Sequence, residues 1–284
     1  MEARNAPLCW LDGKYLPLTE AAIPPDDLGL QRGYGIFDFL RVMGRVPLYM
    51  EDHLDRFYRS AERMYLTVPI ERDELRGIIL HLAEVNGLTV SGMRFLLTGG
   101  SSPDGYTISA PRLMVMHQPL NPPPAVWPEH GYKLYTHDFL RQMPEVKTID
   151  YLMAIRLQPW LRSLGGDDIL YRNEGLVTEC PRANFFMIDQ HDTIVTPVRN
   201  MLHGVTRLQI IQVARSIGLK VEERDLPLTE VLQAKEAFIS SSTKRIIPVT
   251  RVDDHIFTSS EVTRRLWEAM MVHESGWISS RSSG

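Results

Sequence analysis

HQPLNPPPAVWPEHG, His117 to Gly131, is the clearest shift in composition along the chain. Its prolines remove backbone donors and restrict φ, which excludes a continuous helix or a central strand. We interpret residues 119–131 as a semi-rigid linker between a small N-terminal domain, residues 1–118, and a larger C-terminal domain, residues 132–284. A proline-rich surface loop within one domain is the alternative, since long loops are uncommon but do occur.

On the N-terminal side of this linker, two amphipathic helices are predicted. Apolar residues recur on one face of Glu51–Leu66, and the same spacing runs from Leu75 to Val85 before Gly87. Short apolar runs rich in branched or aromatic residues predict three strands. These are Gly35–Val42, Met93–Thr98 and Arg112–Met116.

On the C-terminal side, apolar runs separated by turns predict five strands and two helices. The strands are Tyr132–Thr136, Ile169–Arg172, Asn184–Ile188, Thr193–Thr196 and Glu236–Ser240. One helix covers Tyr151–Leu164 and is bent or broken at Pro159. Another follows Gly204 and ends at Gly218.

The bulk composition is that of a globular protein without a strongly charged surface. Of 284 residues, 44% are hydrophobic and 23% charged, and the net charge of -4 predicts no nucleic-acid partner. Neither a signal sequence nor a membrane span is recognisable, so a cytoplasmic location is expected. The two cysteines lack metal-ligand spacing, which predicts neither a disulfide framework nor a metal site.

EVKTIDYL, Glu145 to Leu152, contains Lys147, the lysine whose sequence surroundings best fit a catalytic amine. Lys147 follows a methionine-proline turn and precedes an apolar segment, an environment that can lower the pKa of an amine and make it nucleophilic. A solvated lysine with a structural role is the alternative.

Two hydroxyl-bearing stretches are candidate anion sites. HGVTR, His203 to Arg207, leads into a helix, where free backbone amides and the Thr206 hydroxyl favour a phosphate. Ser240–Thr243 end an apolar run, as a strand end facing an anion would. Thr206 as an ordinary N-cap and Ser240–Thr243 as a polar turn are the alternatives.

Two charged residues lie in apolar surroundings. Arg56 is on the first predicted helix, beside Phe57, and its guanidinium matches the paired oxygens of a phosphate, although an exposed arginine is the alternative. Glu179 lies between two apolar runs, and a buried carboxylate requires a cation. The alternative for Glu179 is an exposed loop acid held by Arg182.

Taken together, seven stretches in this order resemble the class IV, or fold type IV, pyridoxal phosphate enzymes, which include D-amino acid and branched-chain aminotransferases and aminodeoxychorismate lyases. The stretches are GYGIFDFLRV, HLDRFYRSA, LLTGG, VKTIDYL, LVTECPRANFFMI, LHGVTR and ISSSTKRIIPV. The resemblance implies an α+β fold, with a small α/β N-terminal domain and a larger C-terminal domain around a barrel-like sheet. It also implies a homodimer.

The resemblance further implies a role for each matched residue. Lys147 looks like the lysine that joins pyridoxal 5′-phosphate as a Schiff base and then moves a proton at the substrate Cα. Glu179 is similar to the acid that keeps the pyridine nitrogen protonated. The residues that resemble the family's phosphate-binding residues are Arg56, Val205, Thr206, Ser242 and Thr243. Leu202 resembles the residue that packs against the cofactor ring.

Departures from the family pattern concern the substrate. D-amino acid aminotransferases of the familiar type carry an Arg-x-His pair shortly after the position of Thr98 and a tyrosine on the N-terminal strand. Here that region reads TGGSSPDGY, and Phe37 stands at the tyrosine position. Because a closed site must neutralise the substrate carboxylate, Arg32 and Arg94 are candidates, with Arg41 and Lys244 in reserve.

We therefore expect a noncanonical D-amino acid aminotransferase that exchanges an amino group between D-glutamate or D-alanine and 2-oxoglutarate. A branched-chain L-aminotransferase is the first alternative, although Arg245 replaces a glutamate common in that group. An (R)-amine transaminase and an aminodeoxychorismate lyase follow. A noncatalytic cofactor-binding protein is the alternative of a different class.

Overall fold

The computed structural model describes residues 6–282. By their contacts these residues form two compact units. The first runs up to Pro122 and also contains Val146–Asp150 and the chain from Trp277 onward, and the second contains Pro123–Glu145 and Tyr151–Gly276. The segment of Lys147 thus belongs to the first unit, whereas the sequence placed it in the C-terminal domain. The linker at residues 119–131 and the limits of the two domains, as expected from the sequence, stay a prediction.

The first unit contains a six-stranded antiparallel sheet of order β2-β1-β6-β5-β3-β4. Its strands are β1 (Leu8–Leu11), β2 (Lys14–Pro17), β3 (Gly35–Met43), β4 (Val46–Pro47), β5 (Val90–Thr98) and β6 (Arg112–Pro119). The three predicted strands are confirmed as β3, β5 and β6. The other three were not predicted, and each is only two to four residues long, too short for a clear alternating pattern.

Three helices accompany this sheet: α1 (Leu28–Arg32), α2 (Met50–Arg63) and α3 (Arg72–Val85). The two predicted amphipathic helices are confirmed as α2 and α3. Their apolar faces pack with Ile36, Leu40 and Val42 of β3 in one buried cluster. Because side chains alternate along a strand, Phe37 and Phe39 lie on the opposite face of β3, where both are only half-buried.

The second unit contains an 11-stranded mixed sheet whose main path is β13-β12-β11-β15-β16-β7-β8-β9-β14. Its strands are β7 (Tyr132–Asp138), β8 (Asp168–Asn173), β9 (Leu176–Val177), β10 (Glu179–Cys180), β11 (Ala183–Ile188), β12 (Ile194–Thr196), β13 (Val221–Glu223), β14 (Leu226–Pro227), β15 (Glu236–Ser241), β16 (Arg245–Val252) and β17 (His255–Ile256). The five predicted strands are confirmed as β7, β8, β11, β12 and β15.

The helices of the rest of the chain are α4 (Leu152–Arg156), α5 (Gln158–Ser163), α6 (Val205–Ser216), α7 (Leu228–Val231) and α8 (Glu261–Ser282). The predicted break near Pro159 is confirmed, since α4 and α5 meet at Leu157 and Pro159 lies in the first turn of α5. The helix after Gly204 is confirmed as α6. Gly218, with φ +79°, follows its end in the left-handed conformation that favours glycine.

Candidate active site

Lys147 lies on a short extended segment that runs along the start of β3. Its carbonyl oxygen accepts a hydrogen bond from Phe37 N (2.9 Å), and Ile149 N donates to Gly35 O (3.1 Å). Val146, immediately before it, is fully buried in the core of the first unit. The backbone on both sides of Lys147 is therefore anchored, which restricts where its side chain can reach.

The Lys147 amine and the Arg94 guanidinium share one aromatic ring. Lys147 Nζ lies 4.6 Å from the centroid of the Phe37 ring, and Arg94 Cζ lies 5.1 Å from the same centroid. Arg94 pairs with Phe39 across β3 and β5, so its side chain is on the face that carries Phe37. Both contacts have cation–π geometry, and two positive groups are thus held beside one ring.

Arg32, the other candidate for the substrate carboxylate, is exposed at the end of α1. Its Nε donates to Gly105 O (3.0 Å) and its Nη1 to Gln31 O (3.2 Å). The structure thus joins Arg94, but not Arg32, to Phe37 and Lys147. A substrate-binding role for Arg32 stays a prediction.

Arg56 is buried, so the alternative of an exposed arginine is wrong. Its Nε and Nη2 donate to the two oxygens of the fully buried Asp38, each at 2.8 Å, and His53 Nδ1 lies 2.7 Å from Asp38 Oδ1. Burial by itself would raise the pKa of Asp38, but the charges and hydrogen bonds of Arg56 and His53 hold that pKa well below its usual range. The phosphate-binding role of Arg56 stays a prediction.

Burial lowers the pKa of His53 below 6.5 even though Asp38 favours its charged form. Arg56 donates two hydrogen bonds to Asp38 and supplies the fixed positive charge that balances it. This network joins β3 to α2 through Asp38, the residue that follows Phe37 on the strand.

Glu179 is buried in the second unit, and its partner is Arg141. Arg141 Nε donates to Glu179 Oε1 (2.8 Å), and Leu202 N donates to Oε2 (3.0 Å). The alternative of an exposed acid held by Arg182 is wrong, since Glu179 is 5% exposed and Arg182 lies at the surface. A buried carboxylate paired with a guanidinium can still accept further hydrogen bonds, because its two oxygens offer about four lone-pair sites.

The N-terminus of α6 brings together hydroxyl groups from two parts of the second unit. Thr206 Oγ1 lies 3.5 Å from Ser242 Oγ. The first backbone amides of a helix lack intrahelical acceptors, which makes them available to an anion. The nearby strand β15 ends with Ser240 and Ser241, and the buried Oγ of Ser240 has no hydrogen-bond partner among residues 6–282. Such a set of donors fits a phosphate group.

Gly204, before α6, leaves room for Asn184. A Cβ at Gly204 would lie 2.1 Å from Asn184 Oδ1, which no side chain could tolerate without a shift. Asn184 Nδ2 donates to Leu202 O (2.7 Å). The glycine thus lets Asn184 hold the backbone of Leu202, whose amide binds Glu179.

Ser242 and Thr243 lie in the turn between β15 and β16. Thr243 is exposed, and its Oγ1 lies 3.3 Å from Ser241 Oγ. Lys244, held in reserve for the substrate carboxylate, is bound to Asp168 instead, with Nζ 3.1 Å from Oδ2. Roles of Ser242 and Thr243 in binding phosphate stay a prediction.

Asp38 and Arg141 were not predicted from the sequence as residues of the site. Asp38 could have been found, because it interrupts the alternation of Ile36, Leu40 and Val42 with a charge on the buried face. Arg141 lies in a loop with no periodic pattern and had no such signal.

Burial raises the pKa of the Cys180 thiol well above its usual value, so this neighbour of Glu179 stays protonated.

Neither a metal site nor a membrane-spanning helix is found among residues 6–282. In that part of the chain no group of three or more His, Cys, Asp or Glu side chains is arranged to hold a metal ion. Between residues 6 and 282, no helix combines the length and the apolar character needed to cross a membrane.

Comparison with known proteins shows to which family the chain is similar. The family model described as amino-transferase class IV matches residues 35–252. A D-alanine aminotransferase of Bacillus licheniformis is 26% identical over an alignment of 247 residues, and the match covers 85% of this chain and 87% of that protein. A putative branched-chain-amino-acid aminotransferase of Methanocaldococcus jannaschii is 26% identical over an alignment of 281 residues, and that match covers 94% of this chain and 96% of that protein.

Among solved structures, the branched-chain aminotransferase of the thermophilic archaeon Thermoproteus uzoniensis with norvaline is similar to this chain with a TM-score of 0.84. The two sequences are 24% identical, and the match covers 95% of this chain and 97% of that one. The likeness extends over both units and shows that the α+β fold is shared.

Proposed function

The chain belongs to the class IV aminotransferases, and we propose that it moves an amino group between a D-amino acid, such as D-alanine or D-glutamate, and a 2-oxo acid such as 2-oxoglutarate. Its cofactor is pyridoxal 5′-phosphate. When bound, this cofactor acts as an electron sink for the substrate Cα. The residues of the chain bind it, orient the substrate and move the proton.

The residues proposed to hold the cofactor have the required chemistry. Thr206, Ser242 and the first amides of α6, including that of Val205, are donors for a phosphate. The buried hydroxyl of Ser240, which has no hydrogen-bond partner within residues 6–282, adds one more. Glu179, already balanced by Arg141, keeps lone pairs for a pyridine N–H. Leu202 packs against the ring in this proposal, and Arg56 and Thr243 add to the phosphate contacts.

Lys147 is the proposed catalytic residue. It binds the cofactor covalently in the resting enzyme and then carries the proton that leaves the substrate Cα. An amine needs its neutral form to act as a nucleophile or base.

The single observation that carries the substrate class is the shared contact of Lys147 and Arg94 with Phe37. An α-amino acid presents a carboxylate on the carbon that loses its proton. Arg94, a cation at the same aromatic ring as the catalytic amine, can balance that carboxylate. Without such a cation, taking the substrate carboxylate out of water would be costly. A transaminase for simple amines would not need such a cation.

The D configuration is supported by the D-alanine aminotransferase of Bacillus licheniformis. The putative branched-chain enzyme of Methanocaldococcus jannaschii, which aligns with more of this chain, favours a branched-chain L-amino acid as the second candidate. Both substrates carry a carboxylate, so Arg94 has the same role in either case.

The deciding experiment is a half-reaction screen of the cofactor-loaded protein with matched D- and L-forms of alanine, glutamate and leucine. The loss of the visible absorbance of the lysine-bound cofactor is followed without an acceptor. We expect the D-forms of alanine and glutamate to react fastest. Faster reaction with L-leucine than with every D-amino acid would replace the proposal by the branched-chain alternative.

We also propose a homodimer. Leu152 and Ile155 lie one turn apart on α4 and are 75% and 69% exposed, which is unusual for a pair of large apolar side chains on one helix face. Light scattering after size-exclusion chromatography is expected to give the mass of two chains. A monomer at micromolar concentration would contradict this proposal.

A further inference from the structure

We propose that Arg245 and Lys244 are positioning residues, which hold the turn of Ser240–Thr243 in place through ion pairs with Glu274 and Asp168. This inference rests on the proposed function, in which Ser242 of that turn binds the cofactor phosphate. The turn is called the hydroxyl turn below.

The hydroxyl turn has an unusual backbone at its end. β15 ends at Ser241 and β16 begins at Arg245, which are paired across the two strands, and Lys244 N donates to Ser241 O (3.1 Å). Arg245 has φ +58°, in the left-handed region. Hairpin loops of this kind usually have glycine or asparagine at such a position, because a larger side chain is strained there.

The arginine side chain explains why this strain is tolerated. Arg245 Nε lies 2.6 Å from Glu274 Oε2 on α8, and Nη1 donates to Pro124 O (2.9 Å). The side chains of Arg245 and Glu274 are both almost fully buried. A buried charge that loses its partner is costly, so this pair resists separation and fixes the end of the hydroxyl turn to α8.

Lys244 provides a second anchor at the neighbouring residue. Its Nζ lies 3.1 Å from Asp168 Oδ2, at the start of β8, and 5.0 Å from the centroid of the Tyr132 ring. Both cations that follow the hydroxyl turn thus have a carboxylate partner. Their charges are balanced within the protein, which favours a role in holding the turn over a direct role in binding an anion.

The turn that Arg245 and Lys244 anchor carries the hydroxyl groups proposed to bind the cofactor phosphate. Ser242 Oγ lies 3.5 Å from Thr206 Oγ1, and the buried Ser240 Oγ lacks a hydrogen-bond partner in the described part of the chain. Hydrogen bonds weaken steeply with distance and angle. A displacement of the turn by about 1 Å would therefore weaken phosphate binding while the rest of the fold stays intact.

The test compares two ligands on the full chain stripped of cofactor. The dissociation constants of pyridoxal 5′-phosphate and of pyridoxal, which lacks the phosphate, are measured for wild type and Arg245→Gly. Glycine suits the left-handed backbone, so this variant removes the anchor without adding strain. We expect the constant for pyridoxal 5′-phosphate to rise roughly tenfold, and that for pyridoxal to change less than about twofold.

Unchanged affinity for pyridoxal 5′-phosphate, or equal weakening for both ligands, would overturn the inference. Arg245→Lys, which keeps a charge toward Glu274, is expected to lie between wild type and Arg245→Gly. If Arg245→Gly does not fold, the double variant Arg245→Gly/Glu274→Gln, which leaves no unpaired buried charge, is measured in its place with the same two outcomes.

Ser242→Ala separates this inference from the proposed function. A Ser242→Ala variant with the wild-type preference for pyridoxal 5′-phosphate over pyridoxal would reject the phosphate role of the hydroxyl turn itself. If Ser242→Ala lowers that preference and the Arg245 variants do not, the phosphate role stands and the positioning role is wrong.

Discussion

Arg141 and Glu179, 38 residues apart, form an ion pair in the second unit, with Arg141 Nε and Nη2 both 2.8 Å from Glu179 Oε1. Their side chains are 15% and 6% exposed, so the pair is largely shielded from water. The interaction places a compensated carboxylate beside the Leu202 backbone. Arg141 is thus the cation that a carboxylate in the apolar surroundings of Glu179 requires.

Arg141→Met is expected to lower the free energy of unfolding by roughly 3 kcal/mol, because Glu179 would remain buried without its cation. Urea denaturation measures the change. Arg182→Met removes an exposed arginine close to Glu179 in the sequence and is the matched control, for which we expect a change within about 0.5 kcal/mol. Equal stability of the two variants would show that Arg141 does not balance Glu179.

Lys147→Ala is expected to remove the visible absorbance of the purified, cofactor-loaded protein, because no other lysine is proposed to bind the cofactor covalently. Reduction with borohydride followed by mass spectrometry should place the cofactor mass on the wild-type peptide that carries Lys147. Lys14→Ala, at the exposed first residue of β2, is the control and should keep the absorbance. Persistence of the band in Lys147→Ala would reject the catalytic assignment.

Arg94→Leu should lower kcat/KM for α-amino acids by roughly 10- to 100-fold, the size of a lost charge-assisted hydrogen bond. The loss for a primary amine without a carboxylate should be much smaller. Arg45→Leu is the control, since Arg45 is an exposed arginine of the same unit that pairs with Glu84 instead of contacting Phe37. Equal losses for amino acids and amines in Arg94→Leu would assign Arg94 a structural role.

The Asp38 network predicts a specific pH dependence of stability. Burial opposes ionisation of Asp38, but Arg56 and His53 lower its folded-state pKa below the unfolded value near 3.8. As the pH falls, the unfolded chain therefore takes up this proton first. The stabilisation from Asp38 is present above about pH 4 and is lost progressively as the pH falls further.

The measurement is urea unfolding of wild type and Asp38→Asn in steps from pH 6 to pH 2. We expect the stability advantage of wild type to shrink below about pH 4. Asp254→Asn, at a fully exposed position, should show a constant difference from wild type over the same range. A constant difference for Asp38→Asn as well would mean that the network does not lower the pKa of Asp38.

Much of the fold could be predicted from local pattern. Apolar spacing placed α2, α3 and α6 and the strands β3 and β5, which carry Phe37 and Arg94, and Pro159 marked the break between α4 and α5. These features depend on residues a few positions apart, whose periodicity is visible in the letters. The buried residues Val262, Leu266 and Met270 of α8 also recur every four positions, although this helix was not identified.

The sequence by itself determined the family pattern and the identity of the chemical groups: the amine of Lys147, the carboxylate of Glu179 and the hydroxyls of Thr206 and Ser242. Only the tertiary structure decided their partners. Arg141, Asp38 and Glu274 lie far along the chain from the groups that they bind. Charge pairing depends on distance in space and on burial, and neither quantity is encoded by spacing along the chain.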